Sequence, residues 1–274
     1  MSTIKSDIEK ELLKIRKKYL DSADEINSDY NREKDTIDDY QGRQIFELLQ
    51  NADDEACNTN GNVKIELLKD VFKISNTGIP FSFEGVKSLL RSNNSPKKVR
   101  SNTIGHKGLG FRSVLTWAKK ININTHYFSL EFSIDIAKQF LDGLIKENPS
   151  LNEDLKKINT DTYPIAILAC PKIKDNFPEK GYDTTIEITC TESTKENILG
   201  QIKQLNFEEL LFLENIQTIT VITDDYKKTF FKEKENGKTI IKVKDIVSGK
   251  VEVNGSWFIY EKKENCLIIS KITN

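Results

Sequence analysis

The chain has 274 residues, 30% charged and 37% hydrophobic, with a formal net charge of -1. That length allows one large domain, or a domain with an extension, around a real core. So even a balance excludes a global field toward nucleic acid or a membrane surface, and any electrostatic argument has to be local.

Cys57, Cys170, Cys190 and Cys266 are scattered without a CxxC pair, and His106 and His126 are the two histidines. A structural zinc site and a disulfide framework are therefore not expected, and a reducing, cytoplasmic compartment is. Charges interrupt every apolar stretch of the first residues, unlike a signal peptide, and no run approaches the ~18 apolar residues of a membrane span.

Ile4, Ile8, Leu12, Ile15 and Tyr19 recur at helical spacing, which predicts an amphipathic helix that either packs on its own domain, the preferred reading, or crosses to a second subunit. The polar stretch DSADEINSDYNREKDTIDDY reads as an irregular connection, and a second helix runs from about Gln41 to Cys57. VKIELL and VFKIS read as a hairpin turning at Lys69-Asp70, and Ser82 as the cap of a short helix, FEGVKSLLR. SNNSPKKVRSNT is a loop by composition, and GHKGLG leads into a helix expected to cover FRSVLTWAKK. ININTH and FSLEFSI read as paired strands, followed by a helical insertion over about Ile136 to Lys157 and strands at PIAILAC and TTIEITC. Ser193 is the expected cap of a helix reaching about Leu205, FEELLFL continues helically, and short strands fill the rest from about Ile216. The expected fold is α+β, a two-layer sandwich with a mixed, mostly antiparallel sheet and helices on one face. Its expected divisions are an N-terminal helical arm (1–40), a ligand-binding domain (41–215) and a β-rich extension (216–274), which completes the sheet or starts a transducer.

Two constellations carry chemistry. On a helical wheel Glu47, Asn51 and Asp54 fall within about 60° of one another, opposite Ile45, Leu48, Leu49, Ala52 and Ala56. Alone, such a face reads as solvated surface. Between Gly85 and Lys120 the chain carries nine basic residues and no acidic one, and within that stretch lies Gly105-His106-Lys107-Gly108-Leu109-Gly110. Glycines let a backbone approach an anion and a following helix start offers free N–H groups, so phosphate is the natural ligand. The loop is not a P-loop, Ser113 stands where a dinucleotide fingerprint needs its third glycine, and the protein-kinase downstream motifs are absent.

The order of the pieces resembles the GHKL superfamily of ATPases: Glu47-Leu-Leu-Gln-Asn51-Ala-Asp-Asp54, then Ile74-Ser-Asn76-Thr-Gly78-Ile-Pro-Phe81, then Ile104-Gly-His-Lys107-Gly108-Leu109-Gly110-Phe111, then Thr184-Thr-Ile-Glu-Ile. Within it, DYNREKDTIDDYQGRQIFELLQNADDEA, SNTGIPFS, IGHKGLGFRSV and EELLFLENIQTI are similar to the sacsin and NO VEIN type of ATPase region, over about Asn27 to Ile219. The resemblance implies the Bergerat ATP-binding fold, ATP and Mg²⁺ as ligands, and slow ATP hydrolysis that drives a conformational switch. Carried over by position, Glu47 would activate water, Asn51 would ligate Mg²⁺, and Asp54 would shape the adenine and phosphate side of the helix. Gly78 would allow close approach near the base, and Lys107, Gly108, Leu109, Gly110 and the N–H groups from Phe111 would hold phosphates. Thr184 would join the adenine hydrogen bonds, and residues 92 to 103 would cover the nucleotide.

The pattern departs from the family at Asn76, where an aspartate usually accepts from the adenine amino group; an amide oxygen also accepts, without charge. The resemblance further implies the N-terminal part of a larger protein, with a protein partner or C-terminal effector region, ATP-dependent homodimerisation, and a chaperone-like or phage-defence setting. Competing readings are a non-hydrolysing nucleotide sensor or interaction module, a histidine-kinase-like catalytic domain, and a nucleic-acid surface formed by the basic stretch.

Overall fold

The computed structural model describes residues 3–39, 42–56, 60–91, 109–205, 207–225, 227–262 and 266–271. Its helices are α1 (Thr3–Asp21), α2 (Ala23–Asp39), α3 (Gln44–Glu55), α4 (Phe83–Leu90), α5 (Leu109–Arg112), α6 (Ile134–Glu147), α7 (Ser150–Ile158) and α8 (Glu192–Gln204). The strands are β1 (Gly61–Leu68), β2 (Val71–Asn76), β3 (Ala118–Thr125), β4 (Ser129–Ser133), β5 (Lys172–Lys174), β6 (Thr184–Cys190), β7 (Ile216–Thr223), β8 (Lys227–Glu235), β9 (Lys238–Asp245), β10 (Val251–Lys262) and β11 (Cys266–Lys271). They form one sheet in the order β11-β10-β9-β8-β7-β1-β2-β6-β3-β4-β5. The β1–β7 pair is parallel and the other pairs are antiparallel, so the fold is α+β with a mixed, mostly antiparallel sheet, as the pattern of elements predicts.

Strand alternation explains where the core sits. Val221, Ile65, Ile74, Ile186, Ile123, Leu130 and Ile173 are register partners across β7, β1, β2, β6, β3, β4 and β5, making one apolar row. Leu67, Phe72, Ile188, Ile121 and Phe132 make the next row on the same face. Both rows join the buried residues of the helices, among them Ile8, Tyr19, Ile26, Leu48, Leu89 and Leu144, in one cluster. The intervening positions are polar: Lys64 bridges Glu66 at 2.8 Å and Glu179 at 2.5 Å, and Ser75 bonds Thr185 at 3.0 Å.

The first helix packs on its own chain: Ile8 and Tyr19 are fully buried, Tyr19 stacks edge-on to Phe140 at 6.4 Å, and Asn148 donates to the Leu20 carbonyl at 3.1 Å. Its buried Glu11 accepts from Arg91 Nε at 2.6 Å, at the far end of α4. The stretch expected to be irregular is instead helix α2. Among its described side chains the buried positions are Ala23, Ile26, Asp29 and Glu33, at helical spacing, but two of these four are acidic, so apolar periodicity does not reveal it.

Glu33 also accounts for a second difference. PIAILAC is buried but forms no strand, because the Glu33 carboxylate takes the N–H groups of Ile167 (2.6 Å) and Leu168 (3.0 Å) that a ladder would have used. The helix expected through Lys120 ends early, in a 3₁₀ turn at Ser113–Thr116, because β3 starts at Ala118 and pairs with β6. The cap of α8 is Thr191 in a reciprocal box with Thr194, not Ser193. FEELLFL forms a 3₁₀ turn at Phe207–Leu211 in place of a continuing helix. The hairpin turn at Lys69-Asp70 and the Ser82 cap, which accepts from Gly85 N–H at 3.1 Å, form where expected, with Lys69 at φ 56°. Residues 92–103, expected as a loop, lie outside the described residues.

Candidate functional site

One row of the sheet breaks the apolar pattern. Val63 is opposite Asn76, Asn76 opposite Thr184, and Thr184 opposite Thr125, on the face that otherwise carries isoleucine and phenylalanine. Asn76 is 7% exposed and Thr184 4%. Buried polar groups on a core face are costly unless partnered, so this row is the place to look for a ligand.

A cleft opens there. It encloses about 690 Å³ including its open mouth, and is lined by residues of α3, β2, α4, α5, β6 and the segment joining β2 to α4. Leu48, Ala52, Ile74, Ile186, Leu89, Phe81 and Phe111 give it apolar walls, while Asn51, Asn76, Thr184 and Glu55 bring polar groups. That composition suits a flat, largely apolar ring with a polar edge.

The polar groups differ in how far the protein occupies them. Thr184 Oγ1 accepts the Phe81 N–H at 2.9 Å. Among the described residues the Asn76 amide makes one long bond, Nδ2 to the Thr77 carbonyl at 3.4 Å. Around them the backbone is tightly fixed: Asp183 N–H donates to the Asn76 carbonyl at 2.9 Å, and Asp183 Oδ2 accepts the Gly78 N–H at 2.9 Å. His126 Nε2 stands 3.3 Å from the other Asp183 oxygen.

Gly78 has φ +126° and faces the end of α3; an added methyl would lie 2.9 Å from the Ala56 α-carbon. Only a glycine allows this approach, which lets Ile79 N–H donate to the Glu55 carbonyl at 2.7 Å and ties the segment after β2 to α3. Gly110 is buried against the Glu47 side chain, and its carbonyl accepts from Ser113 Oγ at 2.6 Å.

Of the residues singled out in the sequence, Asn51, Asn76, Phe111 and Thr184 line the cleft, and Gly78 and Gly110 shape its surroundings. Glu47 and Asp54 do not line it; α3 presents Leu48, Asn51, Ala52 and Glu55, a stripe rotated from the polar face drawn on the wheel. The Glu47 carboxylate lies beside Gly110. Lys107 and Gly108 lie outside the described residues, and Leu109 begins α5, whose four residues form a single helical turn. Among the described residues no cluster of His, Cys, Asp or Glu is arranged to hold a metal ion.

Sequence reasoning missed Asp53. Its carboxylate accepts the N–H groups of Glu214 (3.0 Å), Asn215 (2.8 Å) and Ile216 (2.8 Å), and its carbonyl accepts from Asn215 Nδ2 at 3.1 Å. It thereby fastens the start of β7 to α3. The signal was present: Asp53 is about 40° from Leu49 on the wheel, an acid at the rim of the apolar arc. Gln44 anchors the other end of α3, donating to Thr116 Oγ1 at 3.3 Å and accepting from Gln201 at 2.8 Å.

No helix among the described residues is long and apolar enough to cross a membrane. In sequence the chain is 26% identical over 228 residues to Protein NO VEIN of Arabidopsis thaliana, an alignment covering 80% of this chain. The chain spans 8% of the length of that plant protein. No family profile matches the chain.

Proposed function

We propose that this chain binds a purine nucleoside triphosphate with Mg²⁺ and hydrolyses it slowly, as a GHKL-type switch on the Bergerat plan. The observation that carries the reading is the cleft itself: Asn51, Asn76 and Thr184, from three separate motifs, converge on one apolar slot. The order of those motifs and the distant likeness to Protein NO VEIN support it.

The residues present fit the ligands. Leu48, Ala52, Ile74, Ile186 and Phe81 would enclose a base, with Asn76 and Thr184 at its polar edge. Asn51 lines the same cleft and makes no hydrogen bond with another described residue, so its amide oxygen is available to Mg²⁺. Mg²⁺ takes few protein ligands, keeps waters and binds largely through phosphates, so a single amide is a sufficient protein contribution. When bound, it would neutralise charge on the phosphoryl oxygens. Glu47 stands one turn before Asn51, and its carboxylate makes no hydrogen bond or ion pair with a described residue, so it is free to take a proton from water.

A second reading, a sensor that binds nucleotide without turnover, is favoured by one observation: Glu47 is not part of the cleft lining. A role for the whole protein as a switch acting on a partner, an effector region or a second copy is part of the proposal, as are its chaperone-like or defence setting and its cytoplasmic location.

Thermal unfolding with and without Mg·ATP, for wild type and Asn51→Ala, tests the reading. A ligand at ~100 times its dissociation constant adds about 2.7 kcal/mol to the folded state. A magnesium-dependent shift in wild type that is lost in the variant is expected. No shift at millimolar nucleotide would overturn the proposal.

A further inference from the structure

We propose that the cleft accepts purine nucleotides carrying either a 6-amino or a 6-oxo group, so that its substrate class is wider than adenine nucleotides. This rests on the nucleotide reading above and deepens it. Asn76 and Thr184 line the cleft and supply the hydrogen-bonding capacity of this row. Asn76 and Thr184 are directly opposite on antiparallel strands β2 and β6, side by side on the cleft floor. Opposed side chains on such strands have Cβ atoms about 5 Å apart, a spacing that lets two groups read adjacent atoms of one ring edge.

Each member of the pair can reverse its polarity. The Asn76 carboxamide carries an acceptor and two donors, and a half-turn of the amide exchanges them. Only the 3.4 Å contact to the Thr77 carbonyl opposes that turn among the described residues. Thr184 Oγ1 spends one lone pair on the Phe81 N–H, which leaves a proton to donate and a second lone pair to accept. A 6-aminopurine presents a ring nitrogen acceptor beside an amino donor. A 6-oxopurine presents a ring N–H donor beside a carbonyl acceptor. Thr184 donating with Asn76 accepting satisfies the first edge, and Thr184 accepting with Asn76 donating satisfies the second.

A carboxylate at position 76 would lack this freedom. It would accept from a 6-amino group and set acceptor against acceptor with a 6-oxo group, which excludes the latter. Asn76 therefore carries no such rejection device and can still bond adenine, and among the described residues nothing else polar lies in its row on this face save Thr184 and Thr125. Thr125 is occupied by its own turn, accepting from Tyr127 and Phe128 N–H and donating to the Phe128 carbonyl.

The test is calorimetric titration of the chain with Mg·ATP and Mg·ITP, which differ at the 6-position edge alone. Wild type is expected to bind the two within about tenfold of each other, because each edge finds complementary partners. In Asn76→Asp the ratio of the two affinities is expected to shift toward Mg·ATP by about 100-fold or more, since the 6-oxo edge leaves a desolvated acceptor pair unsatisfied. Wild type that binds Mg·ATP but rejects Mg·ITP by about 100-fold overturns the inference while leaving the nucleotide reading intact. A folded Asn76→Asp protein that still binds both alike overturns the role of Asn76. Binding of neither nucleotide to wild type overturns the nucleotide reading itself. Should the variant fail to fold, the wild-type comparison decides alone.

Discussion

The carboxylate of Glu47 lies against the α-carbon of Gly110: a methyl group built there would stand 2.8 Å from Glu47 Cδ. Glu47 belongs to the first turn of α3 and Gly110 to α5, so the contact joins the carboxylate-bearing helix to the segment that leaves the glycine loop. The last glycine of GHKGLG thus makes room for a carboxylate, a requirement separate from any approach to phosphate.

Gly110→Ala follows from that contact. The added methyl displaces the end of a flexible side chain rather than backbone, so stability should change by less than about 1 kcal/mol. The carboxylate, however, must move by an ångström or so, and such a misplacement of a reacting group costs up to about 100-fold in rate. We expect the turnover number to fall at least about tenfold, with Mg·ATP affinity nearly unchanged. Steady-state hydrolysis and the melting temperature, measured on the same preparation, check this. A rate equal to wild type would mean that the Glu47 position is immaterial to the chemistry.

Glu47→Ala separates hydrolysis from binding. General-base groups contribute about 10²- to 10⁴-fold, so turnover should drop by that order while the nucleotide-dependent thermal shift persists. An unchanged rate in a preparation free of contaminating ATPase would remove the assignment. Absence of turnover in wild type, with tight binding, would favour the sensor.

Much of this was legible from the chain alone. Alternation over Val63 to Leu67 and Phe72 to Ser75 marks the hairpin, and the resemblance of the motifs around Asn51, Asn76 and Thr184 to a known family points to three of the cleft residues. What escaped was held by polar groups. Asp29 and Glu33 occupy buried positions of α2, where periodicity arguments look for apolar residues, and Glu33 replaces the ladder that PIAILAC would otherwise make. Asp53 looked like one more acid in NADDE, since one-dimensional spacing cannot show that three N–H groups from residues 214–216 converge on it. Glu55 in the cleft lining, in place of Asp54, reflects a rotation of α3 that a wheel does not specify.

Asp53→Ala should be among the costlier single changes at this end of α3. It removes the acceptor of three backbone N–H groups, each held at 3.0 Å or less. Bonds to a charged acceptor are worth about 1.5–3 kcal/mol, and water can reach part of this partly buried segment, so we expect a loss of about 3 kcal/mol in urea unfolding. Asp53→Asn, which keeps one accepting oxygen, should recover part of it. A loss below about 1 kcal/mol for the alanine variant would show that water replaces the carboxylate at the start of β7.

Glu33 gives the stability a pH dependence with a definite sign. Burial raises its carboxyl to about 7, against the opposing pull of the Leu168 and Ile167 N–H groups and of Arg112, while Asp29 adds to the rise. Arg112, itself lowered by burial, donates to the Ser88 and Leu89 carbonyls at 3.2 and 3.0 Å, and the Cys170 thiol nearby is pushed up by the same burial. An acid whose folded value lies above its unfolded one binds more protons in the native state between the two. Stability from Glu33 is therefore fullest below the unfolded value near 4.5 and is lost as pH rises through about 7. By linkage the loss is on the order of 3 kcal/mol. Subtracting the denaturation free energy of Glu33→Gln from that of wild type, at intervals from pH 4.5 to 7.5, isolates this term from the other carboxylates. The difference should fall as pH rises. A difference that stays level across this window would mean that Arg112 and the two N–H groups offset burial and hold Glu33 ionised in the folded state throughout.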